Sequence, residues 1–175
     1  MEADLLVVAD DLTGALDTGA QFARHGQRTR VAWRPEALGK AGVWVLDTES
    51  RDLSPAAAGA RVAELVAPLA SRCAHLYKKV DSTLRGNVAS ELAALLAAGV
   101  ARRVALAPAF PAQGRATRHG EQWVHGQPLA ATPFARPGVA SAALSVLLAG
   151  EMGVAVGSVD LDVVRQGPVA LAVAL

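Results

Sequence analysis

Leu5-Leu6-Val7-Val8-Ala9-Asp10-Asp11-Leu12-Thr13-Gly14-Ala15 joins an unbroken apolar run to a polar turn. A short continuous apolar run marks a strand buried on both faces, the habit of parallel sheets. Beyond the turn, Ala15, Leu16, Gly19, Ala20 and Ala23 recur at helical spacing, and His25-Gly26 supplies a stop signal after Arg24. Strand, polar turn and helix in that order open a βαβ unit.

The pattern repeats along the chain. Arg28 to Trp33 alternates weakly and reads as a second strand, and Val43-Trp44-Val45-Leu46 as a third. Ser54-Pro55 suits a helix start, because serine caps and proline fits the first helical position. That helix is expected to reach about Arg72 through Val62, Leu65, Val66 and Leu69. Ala74 to Val80 is the next strand, and Asn87 is placed to cap a helix that carries Glu91 in its first turn and stops at Gly99. Val104-Ala105-Leu106-Ala107 reads as another buried strand. Residues 108–137 break the rhythm with Gly, Pro, Arg, His and Thr, and Val124 to Leu129 is expected to form a short hairpin inside that excursion. A helix over Val139–Leu148, a strand over Val154–Leu161 and a helical segment from Gly167 to Leu175 complete the reading. The expected fold is therefore α/β: a mainly parallel sheet flanked by helices in three Rossmann-like layers, with a loop or hairpin excursion at about 108–137.

Composition narrows the classes. The chain has 175 residues, enough for one ordinary domain, and 52% apolar against 19% charged residues argues for a folded chain. Aromatics make up only 4%, so the core should be Ala, Val and Leu. Seventeen basic and sixteen acidic residues, interspersed to a net +1, provide no basic stripe for nucleic acid. Cys73 stands alone, which excludes an internal disulfide framework and a cysteine-rich zinc site; a buried structural thiol is the expectation. The N-terminus lacks a basic n-region, and no apolar stretch reaches membrane-spanning length, so a cytoplasmic protein is expected.

Three strand-to-helix turns carry the chemistry: Asp10 to Gly14, Asp47-Thr48-Glu49-Ser50-Arg51, and Lys78-Lys79-Val80-Asp81-Ser82-Thr83-Leu84-Arg85-Gly86-Asn87. In a parallel sheet such turns emerge on one edge, where open α/β folds bind ligands. The first turn offers carboxylates and the free N–H groups of a helix start. Asp10 and Asp11 would point in opposite directions if the strand continued, leaving at most one as a base while the other caps or binds backbone. Asp17, one turn beyond Thr13, either borders the site or is solvated. Arg51 and Arg85 are natural carboxylate clamps, since a guanidinium offers two parallel N–H bonds to a planar anion. Lys79 is placed to balance substrate or transferring-phosphate charge, while Lys78, facing the other way on the strand, reads as a structural or solvated lysine. Asp81 near Lys79 and Arg85 should have a lowered pKa. The four histidines are scattered without metal-ligand spacing, and no Walker or dinucleotide fingerprint occurs.

These residues resemble a known family. Ala9 to Ala15, Asp47 to Arg51 and Lys78 to Asn87 look like motifs of the N-terminal domain of the four-carbon acid sugar kinases, which include threonate, erythronate and 3-oxo-tetronate kinases. A fourth match is Pro108-Ala109-Phe110-Pro111 with Gly114-Arg115-Ala116-Thr117 and Gly120, continuing to Gly126, Leu129 and Thr132-Pro133-Phe134-Ala135. The four motifs occur in order over nearly the whole chain. The resemblance implies that residues 1–175 form an acid-sugar-binding domain, with the nucleotide-binding C-terminal domain absent from this chain. It implies ATP-dependent phosphorylation of an acid-sugar hydroxyl, with ATP and Mg²⁺ serving the full-length enzyme and none bound by this chain alone. It also implies acid-sugar contacts from Asp11, Arg51, Lys79, Asp81, Ser82 and Arg85; Asp10, Thr13, Gly14 and Asn87 join them as candidate substrate-binding residues. Asp11 is favoured as the catalytic base, with Asp81 next. Pro137 departs from the family, which usually has an acid there. The expected partners are a small acid sugar and a nucleotide-binding domain in cis or trans, with no nucleic acid or membrane, and a homo-oligomer stays open. Two rivals remain: a non-catalytic sugar-acid-binding module that has lost the nucleotide domain, and an aspartate-nucleophile phosphatase. The phosphatase is disfavoured because the second acid it wants two positions on is Leu12 or Thr13.

Overall fold

Four strands in the computed structural model run parallel in the order β2-β3-β1-β4. They are β1 (Ala3–Ala9), β2 (Thr29–Ala32), β3 (Val43–Asp47) and β4 (Cys73–Lys78). The structure describes residues 2–40, 42–135, 143–152 and 156–174, which divide into two compact units, Met1–Leu106 and Ala107–Leu175.

The first unit is the three-layer α/β arrangement expected. Helix α1 (Leu12–Arg24) covers one face, where Val7, Ala9, Val43 and Val45 pack with its Ala15. Helices α2 (Pro55–Ala70) and α3 (Val88–Ala97) cover the other, where Leu6, Val8, Trp44 and Leu46 meet Val62, Val66, Leu69 and Leu95. Alternate residues of each central strand thus face different helices, which is why β1 and β3 read as continuous apolar runs. Trp44 lies fully inside, and its indole N–H donates to Gly39 O at 2.9 Å. Ser54 accepts from Ala57 N at 3.4 Å and Pro55 opens α2, as their order predicts.

Topology places the site. Ala9 is in register with Asp47 and Val8 with Lys78, so the turns after β1, β3 and β4 leave the sheet side by side. After β1 the chain crosses by α1 on one face; after β3 it crosses by α2 on the opposite face. Adjacent β1 and β3 therefore form a topological switch point, and open α/β sheets bind ligands beyond the carboxyl ends of their strands at such a point.

The second unit holds an antiparallel meander of β5 (Arg115–Arg118), β6 (Glu121–Val124) and β7 (Gln127–Pro128). Two-residue turns join them, His119-Gly120 and His125-Gly126, all four residues having positive φ. That is the I′ geometry, which suits the right-handed twist of paired strands. The β6–β7 hairpin was expected; the β5–β6 hairpin was not, although His119-Gly120 marks it. Helices α4 (Leu144–Met152), α5 (Leu161–Arg165) and α6 (Pro168–Ala174) follow.

Several expectations are corrected. Val104–Ala107 forms no strand, and Val104 is 38% exposed; the run is only four residues long, half of it alanine, and proline follows it. The strand expected over Val154–Leu161 is irregular at 156–160, and Leu161 opens α5 instead. Val154, the start of the helix expected from Val139, and Pro137 lie outside the described residues. Cys73 is half-buried, not fully enclosed, with burial pushing its thiol pKa up and its Sγ 3.5 Å from Leu69 O and Ala70 O.

Candidate functional site

Asp11 occupies the N-cap of α1 with extended backbone, and its Oδ1 accepts from Gly14 N at 2.8 Å. A side chain at Gly14 would crowd this turn: a Cβ there would lie 2.7 Å from Asp11 Oδ1 and 3.5 Å from Lys79 Nζ. The glycine thus lets the Lys79 ammonium come against the start of α1. Thr13 and Asp17 are exposed on that helix.

Asp10 and Asp11 do not diverge. The chain leaves the strand after Asp10, so alternation ends there and both carboxylates reach Arg51. Arg51 Nε and Nη2 each donate at 2.9 Å to Asp10, and Nη1 donates to Asp11 Oδ2. Asp10 is buried, and all three guanidinium nitrogens are engaged. Burial alone would depress the Arg51 pKa; the hydrogen bonds and charge of Asp10, with Asp11 nearby, hold it above its ordinary value.

The loop after β4 carries a second charged pair. Asp81 Oδ2 accepts from Thr83 N at 3.0 Å, Thr83 Oγ1 at 2.5 Å and Arg85 Nε at 3.0 Å, while Oδ1 accepts from Arg85 Nη2 at 2.7 Å. Burial pushes the Asp81 pKa up, but these donors outweigh it and hold the carboxyl well below the usual range. The pair uses Nε and Nη2 of Arg85, so Nη1 is not committed to Asp81, and the side chain is 56% exposed. Lys79 Nζ donates to Val80 O at 3.0 Å, which accounts for one of three ammonium protons. Ser82 is half-buried in the same loop.

Gly86 binds this loop to the first turn. It has φ +82°, and a Cβ on it would lie 2.6 Å from Asp10 Oδ2. Leu84, also at positive φ with its side chain buried, shows that tertiary packing holds the loop in a conformation a leucine disfavours. The structure thus gathers Asp10, Asp11, Gly14, Arg51 and Lys79, with the Asp81–Arg85 pair close enough that Asp10 and Asp11 influence Arg85.

Asn87 differs from expectation. It sits at the N-cap of α3 but makes no side-chain cap bond; its Nδ2 donates to Ser50 O, Arg51 O and Leu53 O. Glu91 lies in the first turn of α3 as expected, where it is 1% exposed and paired with Lys78. Asp47 was missed as a titrating group. It ends β3 buried, and burial, aided by the nearby Glu49, Asp11 and Asp10 carboxylates, raises its pKa although Glu49 N donates to it. Its position in an apolar strand was the available signal. Among the described residues, no group of three or more His, Cys, Asp or Glu is arranged to hold a metal ion.

Residues 5–175 match the family described as the sugar-binding N-terminal domain. The chain belongs to that family. This sugar-binding domain is 40% identical over 171 residues to a D-threonate kinase of Cupriavidus necator, covering 95% of the chain and 41% of the relative. It is 35% identical to a D-erythronate kinase of Heliobacterium modesticaldum, covering 99% of the chain and 42% of the relative. A crystal structure of a domain of unknown function from Bordetella bronchiseptica, with bound citrate and as a domain-swapped dimer, matches with a TM-score of 0.76. That match is 33% identical and covers 99% of this chain and 47% of the other. The sugar-binding domain thus spans about 40% of the length of the curated kinases it matches. The family, and the resemblance on which its motifs were recognised, agree.

Proposed function

We propose that this chain is the substrate-binding half of a kinase that phosphorylates a hydroxyl of a four-carbon acid sugar using ATP. The observation that carries the reading is a set of donors on the sheet edge that also presents Asp11: Lys79 Nζ, with one of its protons on Val80 O, and Arg85 Nη1, which Asp81 does not engage. The acid-sugar carboxylate is held by Lys79 and Arg85. Arg51, already occupied by two aspartates, orients Asp11 and meets a ligand only by releasing it. Asp11 accepts the proton of the attacking hydroxyl, with a quarter of its side chain exposed. Asp81 is unsuited to that task, because its bonds from Arg85 and Thr83 hold its affinity for a proton low; it aims Arg85. Thr13 and Ser82 offer hydroxyls to the sugar, and Gly14 provides space.

The phosphoryl donor of such a kinase is ATP with Mg²⁺. Among the described residues no group of three or more His, Cys, Asp or Glu could hold a metal ion, and no glycine-rich phosphate loop occurs in the sequence. We infer that the donor site lies in a nucleotide-binding domain in cis or trans and that the chain alone turns over no ATP. Kinship with kinases, two of them named for D-threonate and D-erythronate, supports the substrate class. The domain-swapped Bordetella relative supports a homo-oligomer, and dependence on ATP supports a cytoplasmic setting.

Calorimetric titration of the chain with D-threonate and D-erythronate tests the reading. We expect saturable binding of one of them, weakened roughly tenfold or more by Lys79→Ala and by Arg85→Ala, as loss of a charge-assisted hydrogen bond requires. Adding the C-terminal part of a relative with MgATP should then yield ADP. Absence of heat with every four-carbon acid would overturn the proposal.

A further inference from the structure

Beneath the Asp10–Asp11–Arg51 cluster runs a buried polar chain to which the acid-binding reading gives no task. Lys78 Nζ lies 2.8 Å from Glu91 Oε2, with side chains 7% and 1% exposed. Glu91 Oε1 accepts from Ser50 Oγ at 2.5 Å. Thr48 Oγ1 is 2.8 Å from Ser50 Oγ and 2.9 Å from Ala9 O. Lys78 Nζ also donates to Lys79 O at 3.3 Å, at the point where the chain turns into the loop bearing Lys79 and Arg85.

Helix α3 therefore grips the loop of Arg51 twice. Glu91 takes the Ser50 hydroxyl, and Asn87 donates to the carbonyls of Ser50, Arg51 and Leu53 at 3.1, 3.3 and 2.9 Å. On its other side, Ser50 N and Arg51 N donate to Asp10 O at 3.0 and 3.1 Å. The loop is pinned between the end of β1 and the start of α3. A buried ion pair is a poor way to gain stability, because apolar residues of similar volume commonly do as well or better. What it supplies here is a fixed connection between two ligand-facing loops.

We propose that Glu91, with Lys78 and Asn87, are positioning residues that join the Arg51 loop to the Lys79–Arg85 loop, so that the acid-binding groups are preorganised before ligand arrives. The proposal rests on the acid-binding reading above, and its value follows from geometry: misplacement by about an ångström can cost on the order of a hundredfold. Asn87 thus acts on the ligand through the Arg51 loop.

The test compares Glu91→Gln, the double variant Lys78→Met/Glu91→Leu, and Ser50→Ala, each measured for thermal midpoint and for D-threonate affinity. Glu91→Gln should lower the midpoint and weaken binding by about tenfold or more. The double variant should recover most of the midpoint, since both buried charges are gone, yet bind as weakly as the single variant. Ser50→Ala, which removes one hydroxyl, should fold and lose affinity in the same direction. Recovery of affinity to within about twofold in a double variant with recovered midpoint, or unchanged binding in Ser50→Ala should the double variant not fold, would overturn the proposal. Absence of D-threonate binding in the parent would sink the acid-binding reading instead. Amide exchange then decides the positioning role: Ser50 and Arg51 amides should exchange about tenfold faster in Ser50→Ala while β1 amides do not change. Equal protection would refute it.

Discussion

Arg51→Ala removes two 2.9 Å charge-assisted hydrogen bonds to Asp10 and a third to Asp11. What remains is an Asp10 carboxylate whose side chain is 4% exposed, facing the void left by the guanidinium. Breaking a buried ion pair from one side costs about 3–5 kcal/mol, most of it the uncompensated charge left behind. Arg51 keeps 17% of its side chain exposed, so water reaches part of the vacated space, and the lower end, about 3 kcal/mol, applies. With a urea slope of about 2 kcal/mol per molar, the midpoint should fall by about 1.5 M at unchanged slope. The assay is urea unfolding followed by circular dichroism at neutral pH. Glu2→Ala is the control: its pair with Arg72 is about 40% exposed on both sides, and its loss should leave the midpoint unmoved. The double variant Asp10→Asn/Arg51→Ala should regain part of the loss, because the stranded charge is gone. An Arg51→Ala shift below about 0.5 M would refute the reasoning, since the bridge would then behave as a surface pair.

Three further outcomes are expected. Gly86→Ala should destabilise more than Gly99→Ala: both have positive φ, but the new methyl meets Asp10 only at Gly86, with open space around Gly99; equal losses in urea unfolding would remove the close contact from the argument. Asp81→Asn should be less stable than the parent at neutral pH, and the gap should narrow as pH falls below about 4. A carboxyl depressed in the fold contributes stability above its unfolded pKa and loses it as pH falls through the folded value; a pH-independent gap in urea midpoints would contradict this. Asp47→Asn should raise the midpoint at about pH 8 and raise it less in acid, because the raised pKa means that stability is lost as this carboxyl ionises in the fold. A gain that grows towards acid would reverse the assignment.

Much of the first unit was legible because its signals are local. The runs Leu5–Ala9 and Val43–Leu46 are each buried by helices on both faces, and such burial leaves no polar residue in the run. Once parallel pairing is accepted, the meeting of the turns after β1, β3 and β4 follows from register. Val104–Ala107 failed because an apolar tetrad does not specify a pairing partner. The β5–β6 hairpin was passed over because His119-Gly120 lacks the strongly alternating flanks that normally announce a strand pair.

The charged residues of the candidate site were legible in the sequence; the bonds among them were not. Residue types and turn positions alone nominated Asp10, Asp11, Arg51, Lys79, Asp81 and Arg85, because chemistry at strand ends needs charge and the local pattern displays it. That Arg51 is shared by both aspartates, that Asp81 is saturated by Thr83 and Arg85, and that Glu91 reaches Lys78 and Ser50 were decided by tertiary structure. Ser50 and Glu91 stand 41 positions apart, as do Asp10 and Arg51. A hydrogen bond depends on tenths of an ångström between atoms that only the folded sheet brings together, whereas periodicity and turn chemistry are written in neighbouring residues. The sequence by itself determined the layers and which residues reach the sheet edge; the fold decided which of their charges are paired with one another.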